Sequence, residues 1–326
     1  MMQPKQPLVS VVIATYNRAD ILPYAIRSVL LTAGLDLEVI VVGDGCSDQT
    51  AEALSAIGDS RVRYVNLPQN WGEQSVPSNE GILQSRGEFV AFLNHDDLFL
   101  PWHLPDLLAL HCDGADVTWS PYIIVYPAPS GADRVRHSRY VLAGVTPTTD
   151  FDPVVFAIAS ATCYRKSVLE DVGGWTRASQ TILSPSQDLL FKAYKAGFKI
   201  RRTDRPSVLV PFSGDRKNSY VNLSAEEHRC FYELVRGGDE RLFPELLRAS
   251  VHDAAKTART SVARFALRRL HRHVSSFALR FGIHPHAPRM WLRYRKRGGF
   301  VNYVRQETGL PAVDFRARER ERGKRS

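Results

Sequence analysis

The first hundred residues consist of short apolar runs separated by segments with helical spacing. The runs are rich in β-branched residues, which is typical of strands buried on both faces of a sheet. In the segments between them, apolar residues recur every three or four positions, as in helices that cover a sheet. Strand and helix therefore alternate, which predicts right-handed crossovers and a parallel sheet. The predicted strands are 8–15, 37–43, 62–67 and 88–94, and the predicted helices begin near residues 20, 48 and 72.

Beyond residue 113 the pattern is less regular and predicts mixed or antiparallel strands at one side of the sheet. From about Ser224 onward the pattern is helical, and the charged end 316–326 is predicted to be disordered. The remaining predicted strands are 116–128, 153–165 and 199–212, with a short helix within 167–175 that ends at glycines and a longer helix over 186–198.

Polar clusters follow three of the predicted parallel strands at the point where each strand ends. Tyr16 and Asn17 follow the first strand, Asp44 follows the second, and the segment 94–97 follows the fourth. In open parallel sheets, ligands bind beyond the carboxyl ends of the strands. Three separate stretches of sequence therefore predict one shared crevice.

The segment "NHDD" at 94–97 places two adjacent carboxylates at a strand end. Asp96 and Asp97 suit a hard divalent cation such as Mg²⁺ or Mn²⁺, which takes oxygen ligands from carboxylates and phosphates. The natural ligand would then be a nucleoside diphosphate bridged by the metal. The alternative is a solvated acidic turn that precedes the next helix.

Three further side chains have a functional and a structural interpretation. Asp44 could hydrogen-bond a ribose or base, or it could belong to an ordinary turn in "GDG". Tyr16 could stack on a nucleobase or pack in the core. Asp188, at the start of its helix, could be a general base or a favourable charge in the first helical turn.

The phosphate-binding loops of two large protein classes are missing from the sequence. No GxGxxG follows the first strand, and no GxxxxGK[ST] occurs. These absences argue against a dehydrogenase and against a P-loop nucleoside triphosphatase. They leave a metal ion, rather than a helix N-terminus, to hold the charge of a diphosphate.

Five motifs together resemble family 2 glycosyltransferases. They are "VSVVIATYNR", "EVIVVGDGCSDQT", "FVAFLNHDD", "VGGW" and "QDLLFKAYKAGF", in the order and rough spacing of that family, over about residues 8–220. The resemblance implies an inverting enzyme with the GT-A fold. That fold is an α/β class with a Rossmann-like, mostly parallel nucleotide-binding sheet and mixed acceptor-side strands. In this chain a C-terminal helical extension would follow it.

The resemblance also implies roles for individual residues. Asp188 would be the catalytic base, and Asp96, with Asp97 beside it, would bind the metal. Gly174, Trp175 and Gln187 would lie near the acceptor. The nucleotide-sugar would be bound by Ala14, Thr15, Tyr16, Asn17, Asp44, Asn79, Asn94, His95 and Asp96.

The chain departs from the family pattern at several positions, three of them in these motifs and one at Ser78 outside them. Gly43 stands at the first acidic position of the second motif, and Asn94 stands at the first acidic position of the third. Gln187 replaces the usual glutamate beside the base, and Ser78 stands where an arginine is common. The acids that the resemblance assigns to metal binding and to the catalytic base, Asp96 and Asp188, are retained, so we expect an active enzyme.

Charge is divided unevenly along the 326 residues, which carry a net charge of +9. From Arg241 onward there are 21 Lys and Arg against 6 Asp and Glu, and the first 240 residues have a net charge of −6. Residues 245–281 have apolar positions at helical spacing and a basic opposite face. This pattern predicts an interfacial helix on an anionic membrane, or a helix whose apolar face packs on the first domain. No nucleic-acid recognition motif accompanies the charge, so a nucleic-acid partner is disfavoured.

These features predict three regions: a GT-A domain at 1–222, a basic helical region at 223–315 and the charged tail at 316–326. The leading hypothesis is a metal-dependent sugar transferase that uses a nucleotide-sugar and modifies a glycan or lipid-linked acceptor in bacterial surface polysaccharide synthesis. UDP is the first candidate for the donor nucleotide, with dTDP and GDP as alternatives. A catalytically silent nucleotide-sugar-binding or scaffold protein is the competing hypothesis.

The expected location of the protein is inferred from the lack of a signal region and of a membrane span in the sequence. The N-terminus has no apolar signal region, and no stretch approaches the roughly 20 apolar residues of a membrane span. The four cysteines are widely spaced and predict free thiols. We therefore expect a cytoplasmic protein that can bind the inner face of the cell membrane.

Overall fold

A computed structural model describes residues 7–126, 128, 134–146, 149–153, 155–211, 218–238, 278–296 and 298–323. Its central sheet has seven strands, and the first four strands along the chain are mutually parallel. These confirm the predicted alternation of strand and helix. Their bounds are β1 Val9–Thr15, α1 Leu22–Leu30, β2 Leu37–Gly43, α2 Thr50–Ser55, β3 Val62–Asn66, α3 Ser75–Gln84 and β4 Phe89–Phe92.

The next part of the chain completes this sheet and adds a second one. The elements are β5 Leu98–Phe99, α4 His103–Cys112, β6 Val117–Trp119, β7 Tyr122–Tyr126, α5 Arg134–His137, β8 Arg139–Ala143, β9 Thr162–Arg165, α6 Lys166–Asp171, α7 Pro185–Lys195, β10 Ile200–Arg202 and β11 Val208–Pro211. The large sheet has the order β10-β6-β9-β4-β1-β2-β3, and the smaller has the order β5-β11-β7-β8. Strand β9 runs antiparallel to both of its neighbours, as predicted for the mixed side of the sheet.

Both faces of the large sheet are covered, which explains the continuous apolar runs. Helix α1 buries Leu22, Ala25, Ile26 and Val29 on one face, at the spacing of a single helical stripe. The other face holds a separate buried cluster that contains Trp175 and residues of α7. The strands therefore meet apolar neighbours on both sides.

One predicted strand is wrong over most of its length. The sequence predicts a strand over 153–165, but only Thr162–Arg165 forms one, and Ala159–Ala161 form a 3₁₀ turn before it. The turn brings the Ser160 hydroxyl to the end of β4, where it donates to the Asp97 carboxylate. Small residues at 159–161 permit this local turn within an apolar run.

The C-terminal part contains four helices within its described residues. They are α8 Glu226–Gly237, α9 Ala287–Tyr294, α10 Gly299–Glu307 and α11 Phe315–Gly323. The helical character predicted from about Ser224 is therefore confirmed where the structure describes it. The predicted disorder of 316–326 is wrong for residues 316–323, which belong to α11. Most of the basic amphipathic segment 245–281 lies outside the described residues, and the domain boundaries stay a prediction.

Candidate functional site

A cavity of about 290 Å³ opens at the carboxyl end of the parallel strands. Residues that follow β1, β2 and β4 line one side of it, which we call the floor: Ala14, Thr15, Tyr16, Arg18, Asp44, Asn94, His95 and Asp96. The predicted convergence of three sequence segments on one crevice is therefore confirmed. It occurs because parallel strands end at the same edge of the sheet.

The turn after β1 is held by a contact with the turn after β2. Asn17 has a φ of 46°, in the left-handed region that asparagine tolerates better than most residues. Its Oδ1 accepts from the Ser47 backbone N–H at 2.8 Å. Tyr16 lines the cavity with its ring centroid 6.1 Å from that of Tyr220. An aromatic face is thus available at the position predicted for base stacking.

Asp44 is buried and organises the loop that borders the floor. Its Oδ1 accepts from the Trp71 N–H at 2.8 Å, and its Oδ2 accepts from the Gly72 N–H at 2.8 Å and from Asn70 Nδ2 at 3.1 Å. Burial raises the pKa of Asp44 to about 6, although the two backbone donors work in the opposite direction. The residue lines the cavity, so its predicted contact with the nucleoside is compatible with this second, structural role.

The two adjacent carboxylates after β4 lie in different surroundings. Asp96 lines the cavity, and its backbone carbonyl accepts from His228 Nε2 at 3.1 Å. Asp97 is 1% exposed and does not line the cavity. Its Oδ2 accepts from Ser160 Oγ at 2.5 Å and from Asn94 Nδ2 at 2.9 Å. The Asp97 carboxylate anchors the 3₁₀ turn, and its role as a metal ligand stays a prediction.

Asn94 and His95 lie at the floor as predicted. Asn94 donates to Asp97 and accepts from Gln74 Nε2 at 2.9 Å, so its amide is held between two neighbours. His95 lines the cavity, and burial lowers the pKa of its imidazole. A neutral imidazole adds no positive charge to this part of the site.

Asp188 lies in the first turn of α7, beside the cavity wall formed by Pro185. Its Oδ1 accepts from Thr181 Oγ1 at 3.2 Å. Its Oδ2 is buried and has no hydrogen-bond partner among the described residues. A buried carboxylate oxygen without a donor has unused capacity to accept a proton.

Three other residues of the predicted site make structural contacts. Asn79 holds the chain at Trp175, donating to its carbonyl at 2.9 Å and accepting from its N–H at 2.8 Å. Trp175 is 2% exposed and packs edge-on against Phe92, with the ring centroids 4.9 Å apart. Gln187 is buried and donates to the Ala157 carbonyl at 2.6 Å. These side chains have structural partners in the protein, and their predicted contacts with donor or acceptor stay predictions.

The backbone of Gly174 passes close to the Asn79 side chain. A Cβ at Gly174, which has a φ of 61°, would lie 2.5 Å from Asn79 Oδ1. The glycine therefore lets the chain pass close to Asn79 in a left-handed conformation. Gly174 and Trp175 of the "VGGW" motif pack against Asn79 and Phe92 and do not line the cavity, and their predicted acceptor role stays a prediction.

The opposite side of the cavity, which we call the roof, is formed by residues 300–310 of the C-terminal part. Sequence reasoning missed it entirely, together with Arg18 and Tyr220. The Arg18 guanidinium lies 5.5 Å from the centroid of the Tyr220 ring. No local motif marks the roof, whose cavity-lining residues are Phe300, Val301, Val304, Arg305, Thr308 and Leu310.

The acidic residues of the floor are the ligands that the protein could offer to a metal ion. No group of three His, Cys, Asp or Glu side chains able to hold a metal occurs within the part of the chain that the structure describes. Asp96 is the cavity-lining carboxylate at the position where the sequence predicts a metal ligand, after β4. Because Mg²⁺ is commonly bound by one or two carboxylates plus substrate phosphates, a single carboxylate is compatible with a metal that arrives with its nucleotide.

The model of the family "Glycosyl transferase family 2" matches residues 10–173, about half of the chain. This range contains β1 to β4 and the floor of the cavity. The chain belongs to glycosyltransferase family 2. The resemblance seen in the sequence motifs is therefore confirmed.

Curated relatives match over short stretches of this family 2 chain. A succinoglycan biosynthesis protein of Rhizobium meliloti, ExoO, is 41% identical over 97 residues, which cover 30% of this chain and 28% of that protein. A GalNAc(5)-diNAcBac-PP-undecaprenol beta-1,3-glucosyltransferase of Campylobacter jejuni is 37% identical over 105 residues, covering 31% and 34%. The matches thus span about a third or less of these relatives.

Solved structures support the fold over a longer range. S. aureus TarS (residues 1–349) aligns with a TM-score of 0.52 and 16% identity, covering 92% of this chain and 87% of that one. The same protein in complex with UDP-GlcNAc aligns with a TM-score of 0.51. The α/β GT-A fold with its mostly parallel sheet is thereby confirmed. None of the described helices is both long and apolar enough to span a bilayer.

Proposed function

We propose that this family 2 member transfers a sugar from a nucleoside-diphosphate sugar to a hydroxyl of its acceptor, with inversion at the anomeric carbon. The observation that carries the proposal is the cavity at the ends of β1, β2 and β4, which collects an aromatic ring, a buried acid and the Asp96 carboxylate. UDP is the first donor nucleotide to test, since TarS has been solved with UDP and with UDP-GlcNAc. dTDP and GDP are the alternatives.

Asp188 is proposed as the general base. Its free Oδ2 would accept the proton of the acceptor hydroxyl, whose oxygen attacks the anomeric carbon from the side opposite the diphosphate. Its Oδ1 is held by Thr181, which fixes the orientation of the carboxylate. This arrangement supports a direct displacement, in which one base suffices and no covalent intermediate is needed.

Asp96 is proposed to hold Mg²⁺ or Mn²⁺ together with oxygens of the diphosphate. When bound, such an ion would offset the negative charge that grows on the departing diphosphate. The carboxylate lies at the floor, whereas Asn94 is neutral and engaged with Gln74 and Asp97. Asp96 therefore supplies the negative charge that this chain offers at the end of β4.

The acceptor is proposed to be a glycan or a lipid-linked glycan precursor of a bacterial surface polysaccharide. Two matched relatives carry names from this area, one from succinoglycan biosynthesis and one with an undecaprenol-linked substrate.

We also propose that the surface around α9 binds an anionic membrane. Trp291 and Leu292 are 56% and 68% exposed, and Phe281 and Ile283 are also exposed nearby. Exposed Arg289, Arg293, Arg295 and Lys296 surround them. Aromatic and aliphatic side chains flanked by cations are the combination that inserts at anionic headgroups.

Vesicle sedimentation tests this surface. The protein should bind vesicles that contain phosphatidylglycerol and not pure phosphatidylcholine, and a Trp291→Ser, Leu292→Ser double variant should bind about tenfold less. Leu83→Ser removes an equally exposed leucine elsewhere and should leave binding unchanged. Equal sedimentation of all three proteins would refute the assignment.

The donor site is tested by thermal shift with UDP, GDP, dTDP and CDP, each with Mn²⁺, Mg²⁺ or EDTA. Ligand at about 100 times its Kd stabilises a protein by about 2.7 kcal/mol, so one nucleotide with metal should raise Tm by several degrees. Asp96→Ala should lose that shift. Asp204→Ala, at an exposed position, should keep it.

Each other outcome has a defined meaning. A shift with one nucleotide but no transfer to any acceptor would favour the silent nucleotide-sugar-binding protein over the enzyme. A shift that persists in EDTA and in Asp96→Ala would reject the metal site. No shift with any of the four nucleotides would reject the proposed donor site.

A further inference from the structure

The roof of the cavity is formed by a helix far from the family match at residues 10–173. Helix α10 places Phe300, Val301, Val304 and Arg305 along the cavity. The floor comes from strand ends more than 200 residues earlier. The site proposed for the donor is therefore enclosed by two parts of the chain that are distant in sequence.

The roof is fixed to its surroundings by hydrogen bonds of the backbone. The Glu307 and Thr308 carbonyls accept from the N–H groups of Asn218 and Tyr220 at 2.8 and 3.0 Å. Asn302 exchanges two hydrogen bonds with the backbone of Val313, at 2.8 and 3.0 Å. These contacts hold α10 in place over the cavity, so its side chains have defined positions there.

Arg305 is a buried cation in this roof. It is 9% exposed, its Nε donates to the Pro311 carbonyl at 2.9 Å, and its Nη1 donates to the Gly72 carbonyl at 3.2 Å. No carboxylate forms an ion pair with it among the residues that the structure describes, and its Nη2 makes no hydrogen bond to them. Burial lowers the pKa of its guanidinium, as expected for a cation without an anionic partner.

Arg18 provides a direct contrast across the same cavity. It is 5% exposed, but its Nε and Nη2 donate to the two carboxylate oxygens of Asp20 at 2.9 and 3.1 Å. The charge of Arg18 is therefore neutralised within the protein. Arg305 has a similar burial without such a partner, and a buried unpaired charge is costly.

The acids near Arg305 are already engaged. The Asp44 carboxylate accepts from Asn70 Nδ2 and from the backbone N–H groups of Trp71 and Gly72. Arg318 is a second cation that acts electrostatically on Arg305, and its guanidinium donates to the Asn70 carbonyl. The cavity wall at this point therefore has a local excess of positive charge.

We propose that Arg305 binds the diphosphate of the donor, so that the C-terminal segment 298–323 completes the donor site. The inference rests on the proposed function, because the diphosphate is the anionic group of a nucleotide-sugar. A planar guanidinium suits phosphate oxygens, which accept two parallel hydrogen bonds from it. Gly72 allows the close approach, since a Cβ there would lie 2.9 Å from Arg305 Nη1.

The test compares a nucleoside diphosphate with its nucleoside on the full chain. Isothermal titration gives Kd for whichever of UDP, GDP, dTDP and CDP binds the wild type, and for the matching nucleoside. Arg305→Gln should weaken the diphosphate about 10- to 100-fold, the range for a lost hydrogen-bonded charge pair, and leave the nucleoside within about twofold. Arg305→Lys keeps the positive charge but lacks the planar guanidinium. Its Kd for the diphosphate should therefore lie between those of the wild type and Arg305→Gln.

A matched control removes the same charge from the same segment. Arg316 is exposed on α11, and Arg316→Gln should bind both ligands as the wild type does. Unfolding temperatures of all variants are measured alongside, because Arg305 also hydrogen-bonds Pro311 and Gly72. The Arg305→Lys comparison keeps the test valid even if Arg305→Gln is destabilised.

The outcomes separate this inference from the proposed function. Equal diphosphate binding by wild type, Arg305→Gln and Arg305→Lys would overturn the role of Arg305 while leaving the donor site intact. Equal weakening of nucleoside and diphosphate would show that Arg305 only shapes the cavity, which also overturns it. A wild type that binds none of the four nucleotides would reject the proposed function and this inference together.

Discussion

The floor and the roof of the cavity differ in both chemistry and origin. The floor combines Asp44 and Asp96 with polar residues, Ala14 and the Asp20-paired Arg18 at the ends of β1, β2 and β4, all within the region of the family match. The roof consists mainly of apolar side chains, with Thr308 and the buried cation Arg305, on and just after a C-terminal helix. Under the proposed function, the comparison supports a division of labour in which the floor orients the donor and Asp188 on α7 accepts the proton. The roof would hold the negative charge of the diphosphate and exclude water.

The largest expected effect is a loss of sugar transfer without a loss of donor affinity, caused by substitution of Asp188. Asp188→Asn keeps the shape of the carboxylate but cannot accept a proton, so transfer should fall by about 10²- to 10⁴-fold with donor Kd unchanged. Asp171→Asn, at an exposed end of α6, serves as the control and should keep wild-type turnover. Full activity in Asp188→Asn would remove it from the role of base, and a change in Kd alone would place it with the residues that bind the donor.

A second prediction concerns the contact between floor and roof. Gly72 has a φ of +74°, and a Cβ there would lie 2.9 Å from both Arg305 and Val313. Gly58 has a φ of +66° with nothing within 4 Å of its Cβ position. Gly58→Ala should therefore cost about 1 kcal/mol of folding free energy from backbone strain alone, and Gly72→Ala about 2–4 kcal/mol.

Urea unfolding of both glycine variants measures this difference, and nucleotide affinity should fall in Gly72→Ala only. Both glycines have a left-handed backbone conformation, so backbone strain is similar in the two variants. The difference between their stabilities therefore measures the close approach of Arg305 and Val313 to Gly72. Equal destabilisation of the two variants would mean that the roof is not seated on Gly72 in solution.

The smallest predicted effect is a pH dependence of stability that originates in the floor. Burial raises the pKa of Asp44 to about 6 in the folded protein, above the usual value near 3.8. The folded state thus holds a proton that the unfolded state has released, so the contribution of Asp44 to stability decreases as pH rises from about 4 to 6. The wild type should lose about 2–3 kcal/mol relative to Asp44→Asn across this window.

Urea unfolding of both proteins between pH 4 and 7 gives that difference. His103 and His111, whose pKa values burial lowers to about 3 and 4, contribute with the opposite sign but are present in both proteins and cancel. A difference that stays constant with pH would show that Asp44 titrates normally, and the loop at residues 70–72 would then be held without a buried proton.

Strands β1, β2 and β4 were predictable because each is buried on both faces and forms an apolar run. The convergence of Tyr16, Asp44 and Asn94 was predictable for the same reason, since parallel strands end at one edge. The hydrogen-bond partners of side chains in irregular segments were not predictable from the sequence. Asp97 turns inward because a 3₁₀ turn presents the Ser160 hydroxyl to it, and Asn79 is engaged by the backbone of Trp175.

The sequence by itself therefore determined the sheet, its order of strand and helix, and the set of polar residues at its carboxyl edge. These depend on periodicity and on local turn chemistry, which a linear pattern carries. Tertiary structure alone decided which carboxylate lines the cavity, that "VGGW" packs inward, and that Arg305 closes the cavity from more than 200 residues beyond the strand ends. Such facts depend on packing between distant segments, and no local spacing of residues encodes that packing.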